Sequence, residues 1–92
     1  MIKSFQHSGL EDFFKTGSKA GIQPAHEKKL RLQLAALNSA TGPNDLGAAI
    51  WHLRLLQGEY EGFWSIRVSG NWRVIFTFDG KDVVLVDYLD YH

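Results

Sequence analysis

A chain of 92 residues has room for one small domain and one core, and a 45% hydrophobic content with three Trp, three Tyr and six Phe suffices to fill it. The absence of cysteine excludes disulfides and thiolate metal sites and suits a reducing cytoplasm. Ten basic residues balance ten acidic ones, which argues against a general nucleic-acid coat, because phosphate binding needs clustered cations.

The charges are unevenly spread: Lys3, Lys15, Lys19, Lys28, Lys29 and Arg31 come early, whereas Asp79, Asp82, Asp87 and Asp90 crowd the end. No apolar run of signal-peptide type opens the chain, and none approaches the ~20 residues needed to cross a membrane. The expectation is a soluble cytoplasmic protein with a single domain over residues 1–92.

Ile2 to Phe5 reads as a short strand. Ser8-Gly9-Leu10-Glu11 has the spacing of a capping box and predicts a helix start at Ser8, with Leu10, Phe13 and Phe14 as its buried stripe and Gly17 as its stop. Pro24 suits the first turn of a second helix running to about Asn38. There Leu30, Leu34 and Leu37 form the inward stripe, and Glu27, Lys28, Arg31 and Gln33 point to water. A short connection makes the two an antiparallel helical hairpin. Thr41 to Gly47 is turn-rich and holds at most one helical turn.

A strand near Ile50 to Leu56 carries Trp51, Leu53 and Leu55 on one side and His52, Arg54 and Leu56 on the other. After the turn Gln57 to Gly62, the stretch Phe63 to Phe78 reads as a β-hairpin around Ser69-Gly70-Asn71. A three-residue loop pairs Val68 with Trp72, Arg67 with Arg73, Ile66 with Val74 and Trp64 with Phe76. One face is then Trp64, Ile66, Val68, Trp72, Val74, Phe76 and Phe78, and the other Ser65, Arg67, Arg73, Ile75 and Thr77. A two-residue loop would mix apolar and polar on both faces. Asp79-Gly80 turns the chain into a β-branched final strand, Asp82 to Leu89. The order predicts an α+β fold: an N-terminal strand and a two-helix hairpin packed on a mainly antiparallel twisted sheet.

Opposed arginines repel by about 0.2–1 kcal/mol, so the pair Arg67–Arg73 calls for a negative partner. A phosphate fits, and so does a surface network with Asp90, Glu59 or Glu61. The ending Asp87-Tyr88-Leu89-Asp90-Tyr91-His92 reads either as a solvated tail or as a proton-transfer centre, with Asp90 and His92 on one face and Tyr91 on the other. His7 and His26, beside helix starts, read as surface residues, and His52 is a second-rank candidate because it shares a strand with Arg54. No metal-ligand spacing, phosphate-binding glycine loop or nucleophile elbow occurs, so neither a metal nor a cofactor is expected. Metal-free RNA cleavage needs a base for the 2′-OH, an acid for the leaving oxygen and cations on the phosphoryl oxygens. His92, Asp90, Tyr91, Arg67 and Arg73 are of the right types.

The opening Ile2-Lys3-Ser4-Phe5 with Gly9-Leu10, Phe14 and Gly17, the centre Gly62, Ser65 to Val68, Asn71-Trp72-Arg73 and Phe76, and the ending Asp90-Tyr91-His92 resemble the HigB, or plasmid-killer, toxins of the RelE/ParE superfamily over nearly the whole length. The resemblance implies a RelE-like fold and a type II toxin that cleaves mRNA on the ribosome. It implies a helix-turn-helix antitoxin of the HigA kind as partner, with operator DNA bound only through that antitoxin. It also implies that Arg73 is the phosphate-contacting arginine and that Asp90, Tyr91 and His92 are the catalytic ending, to which the opposed pair adds Arg67, and the strand and turn before the hairpin add Arg54 and Gln57, as RNA or phosphate contacts. Some members have a histidine and a lysine where this chain has Arg54 and Gln57. Arg54 keeps the cation, and Gln57 keeps hydrogen bonding alone. A non-catalytic reading, as a ParE-like gyrase inhibitor or an antitoxin-binding corepressor, is the alternative.

Overall fold

The computed structural model describes residues 1–47 and 51–91. Among these, helices α1 (Ser8–Thr16) and α2 (Glu27–Ser39) precede strands β1 (Arg54–Leu55), β2 (Trp64–Ser69), β3 (Trp72–Asp79) and β4 (Asp82–Asp90). The strands form one antiparallel sheet in the order β1-β2-β3-β4.

The start of α1 is capped one residue earlier than the Ser8 spacing predicts: Nδ1 of His7 accepts the Leu10 N–H at 2.9 Å, and Ser8 is already helical. A side-chain acceptor aimed at the third helical N–H satisfies one of the donors a helix start leaves open, whichever residue type supplies it. Gly17 ends the helix as expected, left-handed at φ 81°. Gly9 lies directly against Gly21, where a Cβ would stand 2.5 Å from the Gly9 Cα, so the chain entering α2 passes across α1 at backbone contact.

Residues Pro24–His26 form a 3-10 turn leading into α2. Leu30, Leu34 and Leu37 are fully or almost fully buried, as their spacing requires. Gln33 departs from expectation: it is buried, not solvated, and its Nε2 donates to the Arg67 carbonyl at 2.8 Å. The residues from Thr41 to Gly47 contain one 3-10 turn, Pro43–Leu46, that buries Leu46.

The helices and the inner face of the sheet share one core, in which Leu10, Phe13, Leu30, Leu34 and Leu37 meet Ile66, Val68, Val74, Phe76, Val86 and Tyr88. Register in the central hairpin follows the alternation from Trp64–Phe76 to Arg67–Arg73. Nearer the turn it differs: Ser69, not Val68, pairs with Trp72, and Val68 is the extra residue of a bulge. The bulge absorbs one residue, so Val68 stays buried, Trp72 still packs on the core, and Ser69 is left exposed.

The outer face is not simply polar. Ile75 is fully buried there and Ser65 is 2% exposed. Leu56 is buried on the same side, and the Thr77 hydroxyl donates to the Gly62 carbonyl at 3.1 Å, so the chain between β1 and β2 folds back over this face.

The expected strand Ile50 to Leu56 shrinks to Arg54–Leu55; Ile50 lies outside the described residues, and His52 is left-handed at φ 52°, which breaks an extended run. The N-terminal strand is reduced to two parallel bridges, Ile2 with Val83 and Phe5 with Val86. Between them Leu85 sits at φ 58° in a bulge of β4, and its N–H donates to the Ser4 hydroxyl at 2.8 Å. A left-handed residue turns its peptide out of the ladder, so pairing resumes only beyond it.

His26, expected at the surface, is buried at 7% exposure. Its Nδ1 lies 2.7 Å from the Tyr88 hydroxyl, which also accepts the Gln23 N–H at 3.2 Å, leaving the phenol hydrogen free to donate to the imidazole. Burial lowers the His26 pKa below its ordinary 6.5. The unfolded chain therefore binds more protons than the native one in the window just under that value, and acidification through it removes stability that is complete above it. A melting series from neutral pH to pH ~5 is expected to show a falling midpoint that is flatter in His26→Phe. Parallel slopes in the two proteins would contradict this assignment.

Candidate anion-binding cleft

The hairpin register sets Arg67 on β2 directly opposite Arg73 on β3. On the other side of β2, Arg54 pairs with Ser65, so its side chain shares the face of Arg67, one diagonal step away. A shallow cleft of about 110 Å³ opens there, lined by His52, Arg54, Leu56, Ser65, Arg67, Arg73 and Tyr91. Every charged side chain in that lining is an arginine.

Both central arginines turn to the tip of the hairpin. Nε of Arg67 donates to the Gly70 carbonyl at 3.2 Å, and Nη1 of Arg73 donates to the same oxygen at 2.9 Å and to the Trp72 carbonyl at 3.3 Å. Gly70 adopts φ 57°, a conformation that carries a steric penalty for most side chains. The left-handed turn thus places one carbonyl dipole between two like charges and holds the guanidinium groups in place before any ligand arrives.

The pKa of Arg73 is lowered, first by burial, then by the neighbouring charges of Arg67 and Arg54, with Tyr91 acting in the opposite direction. An arginine stays protonated at physiological pH all the same. Burial is the largest cause of the depression, and the part that comes from Arg67 and Arg54 is a repulsion that a bound anion would relieve. A planar, forked guanidinium pair suits phosphate oxygens in particular.

Tyr91 reaches the cleft because its N–H donates to the Asn71 carbonyl at 2.8 Å, tying the chain beyond β4 to the tip of the hairpin. Its ring packs edge-on against Tyr60 at 5.9 Å. Arg54, Arg67, Arg73 and Tyr91 are thus brought together. His52, a second-rank candidate on sequence grounds, joins them as well, presented by a left-handed turn and not by the strand alternation that first put it with Arg54. Gln57 is exposed and lies outside the cleft lining. Asp90 is exposed and pairs with Trp72, on the sheet face opposite the arginines. His92 lies outside the described residues. Ser65 and Leu56 complete the lining, and nothing in their sequence context marks them beyond the face they share with Arg67 and Arg54.

Fold and site define a small α+β protein with helices on one face of an antiparallel sheet and a cationic cleft on the other. A family model described as the RelE-like toxin of the type II toxin-antitoxin system HigB matches residues 3–92, and the chain belongs to that family of toxins. Among curated proteins it is 39% identical over 92 residues to endoribonuclease HigB of Proteus vulgaris, with all of both chains covered. Among solved structures it resembles YafQ from E. coli strain BL21(DE3), with a TM-score of 0.63 at 17% identity over 96% of this chain and 89% of that one, a likeness of fold. Membership of a toxin-antitoxin family gives the chain an antitoxin as partner. No helix among the described residues is long and apolar enough to cross a membrane.

Proposed function

We propose that this toxin is an endoribonuclease that cuts mRNA on the translating ribosome in the cytoplasm, restrained by a helix-turn-helix antitoxin of the HigA kind through which alone it meets operator DNA. The observation that carries the reading is the grouping of Arg54, Arg67 and Arg73 with Tyr91 around one cleft whose charged lining is wholly cationic. The full-length relative named as an endoribonuclease supports the same chemistry.

In this reading the scissile phosphate sits against Arg73 and Arg67, with Arg54 at its flank. The 2′-oxygen attacks the adjacent phosphorus as its proton passes to a base, the bond from phosphorus to the 5′-oxygen breaks, and an acid returns a proton to that leaving oxygen. The products are a 2′,3′-cyclic phosphate and a 5′-hydroxyl. The guanidinium groups act where charge accumulates, on the phosphoryl oxygens. His92, the residue bonded to Tyr91, is assigned to proton transfer, and Asp90, on the sheet face opposite the arginines, acts on it only electrostatically from outside the cleft. His52 supplies a second imidazole at the cleft, and Gln57 a hydrogen bond to RNA at its margin. The ribosome contributes the orientation of the mRNA, which relaxes the demand on intrinsic chemistry.

The test is mapping of mRNA 3′ ends in a bacterial translation reaction, with wild type and His92→Ala, with and without ribosomes. Cuts are expected only when ribosomes and His92 are both present. Growth arrest with intact mRNA would overturn the nuclease reading in favour of a non-catalytic inhibitor, and undiminished cutting by His92→Ala would remove that residue from the mechanism.

A further inference from the structure

Beside the cleft stands an aromatic ring, Tyr60, to which the phosphate chemistry assigns no role. Tyr60 ends the 3-10 turn Gly58–Tyr60, and its ring stands 5.9 Å from Tyr91 at 67° and 6.4 Å from Phe63 at 76°. Backbone bonds close the segment that carries it. Leu56 N–H donates to the Phe63 carbonyl at 2.8 Å, Phe63 N–H to the Tyr60 carbonyl at 2.9 Å, and Glu61 N–H to the Gly58 carbonyl at 3.1 Å. Tyr60 is therefore preorganised, half-buried, and in contact with the cleft lining through the ring of Tyr91.

We infer that Tyr60 stacks a nucleobase next to the phosphate held in the arginine cleft, forming with Tyr91 a platform for single-stranded RNA. This rests on the nuclease reading of the cleft. Three features support it. A single-stranded nucleotide offers its π-face to aromatic side chains whatever its sequence, and a tyrosine braced by neighbours loses little freedom on receiving it. Phe63 braces the ring on one side and Tyr91 on another, at edge-to-face geometry. Charge then favours one arrangement of the strand: Glu59 and Glu61, the exposed chain neighbours of Tyr60, disfavour a phosphate at that segment, while Arg54, Arg67 and Arg73 draw phosphates to the cleft. An RNA strand crossing the site thus presents phosphate to the arginines and a base to the tyrosines.

The experiment titrates a non-cleavable 2′-O-methyl RNA oligonucleotide, followed by fluorescence anisotropy, against wild type, Tyr60→Leu, Tyr60→Phe and Arg73→Ala. Each is titrated again with oligonucleotides carrying one abasic nucleotide at successive positions. Tyr60→Leu is expected to bind the intact strand about tenfold more weakly, and Tyr60→Phe to bind it like wild type. For one abasic position the difference between wild type and Tyr60→Leu should vanish, because the base that Tyr60 contacts is gone. A Tyr60→Leu penalty that persists at every abasic position would show a packing role and overturn the inference. So would wild-type affinity in Tyr60→Leu while Arg73→Ala binds weakly, which leaves the arginine cleft standing. Binding unchanged by Arg73→Ala would remove the RNA reading of the cleft and the platform with it.

Discussion

Arg73→Ala is expected to lower ribosome-dependent mRNA cleavage by about 10²–10³-fold, the loss typical when one preorganised donor to developing negative charge is removed. The fold itself should not suffer. Arg73 sits among like charges and its guanidinium bonds to the exposed hairpin tip, so its removal relieves the repulsion from Arg67 and Arg54 while the Gly70 carbonyl keeps Arg67. Single-turnover cleavage paired with thermal melting checks both halves. Arg73→Lys should recover only part of the rate, since an ammonium is a point charge without the fork that meets two phosphate oxygens. Salt adds an independent readout: with three arginines on the phosphates, log affinity for RNA should fall against log salt with a slope of about −2 in wild type, shallower by about 0.7 in Arg73→Ala. Cleavage close to wild type in Arg73→Ala would detach the cleft from the chemistry.

Phe76→Ala should have the largest effect on stability, about 3–5 kcal/mol. Phe76 is fully buried at the middle of β3, pairs with Trp64, packs edge-on against Phe78 at 5.9 Å, and stands where β4 makes its bulge. A bulged strand and a two-helix layer have little means of collapsing into the space its ring would leave. For a chain of 92 residues the whole stability is about 5–14 kcal/mol, so this one truncation removes a large share of it. Urea denaturation checks it through a lowered midpoint at an unchanged m-value. A midpoint close to wild type would show that the core repacks around the deletion.

The inner face of the hairpin was legible because a slip of one strand by one residue would have turned its apolar side chains to water, so alternation and the Ser69-Gly70-Asn71 turn cluster together give the pairing from Trp64–Phe76 to Arg67–Arg73. The bulge at Val68 was not legible: pairing Ser69 with Trp72 leaves a two-residue loop, which alternation alone rejects, and only the extra residue of a bulge lets both Val68 and Trp72 stay inward. The same limit explains the helix starts. The capping-box spacing favours Ser8, yet the cap is His7, whose Nδ1 accepts the Leu10 N–H.

Buried polar groups were misread for a different reason. Gln33 on α2 and His26 before it look solvated by residue type and position, but each is bonded far along the chain, Gln33 to the Arg67 carbonyl and His26 to the Tyr88 hydroxyl. Such a bond offsets the cost of burial only once both partners are in place.

By itself the sequence determined the α+β composition, the leucine stripe of α2, the faces of the hairpin and the kinds of side chain available for phosphate chemistry, because these depend on period, propensity and residue type. The tertiary structure decided which of them meet. It joined Arg54 and His52 to the arginine pair through the short pairing of β1 with β2, drew Tyr91 in through Asn71, set Asp90 on the opposite face and left Gln57 outside the cleft. Convergence of this kind depends on turns, bulges and single long-range hydrogen bonds, which leave no periodic trace in a sequence.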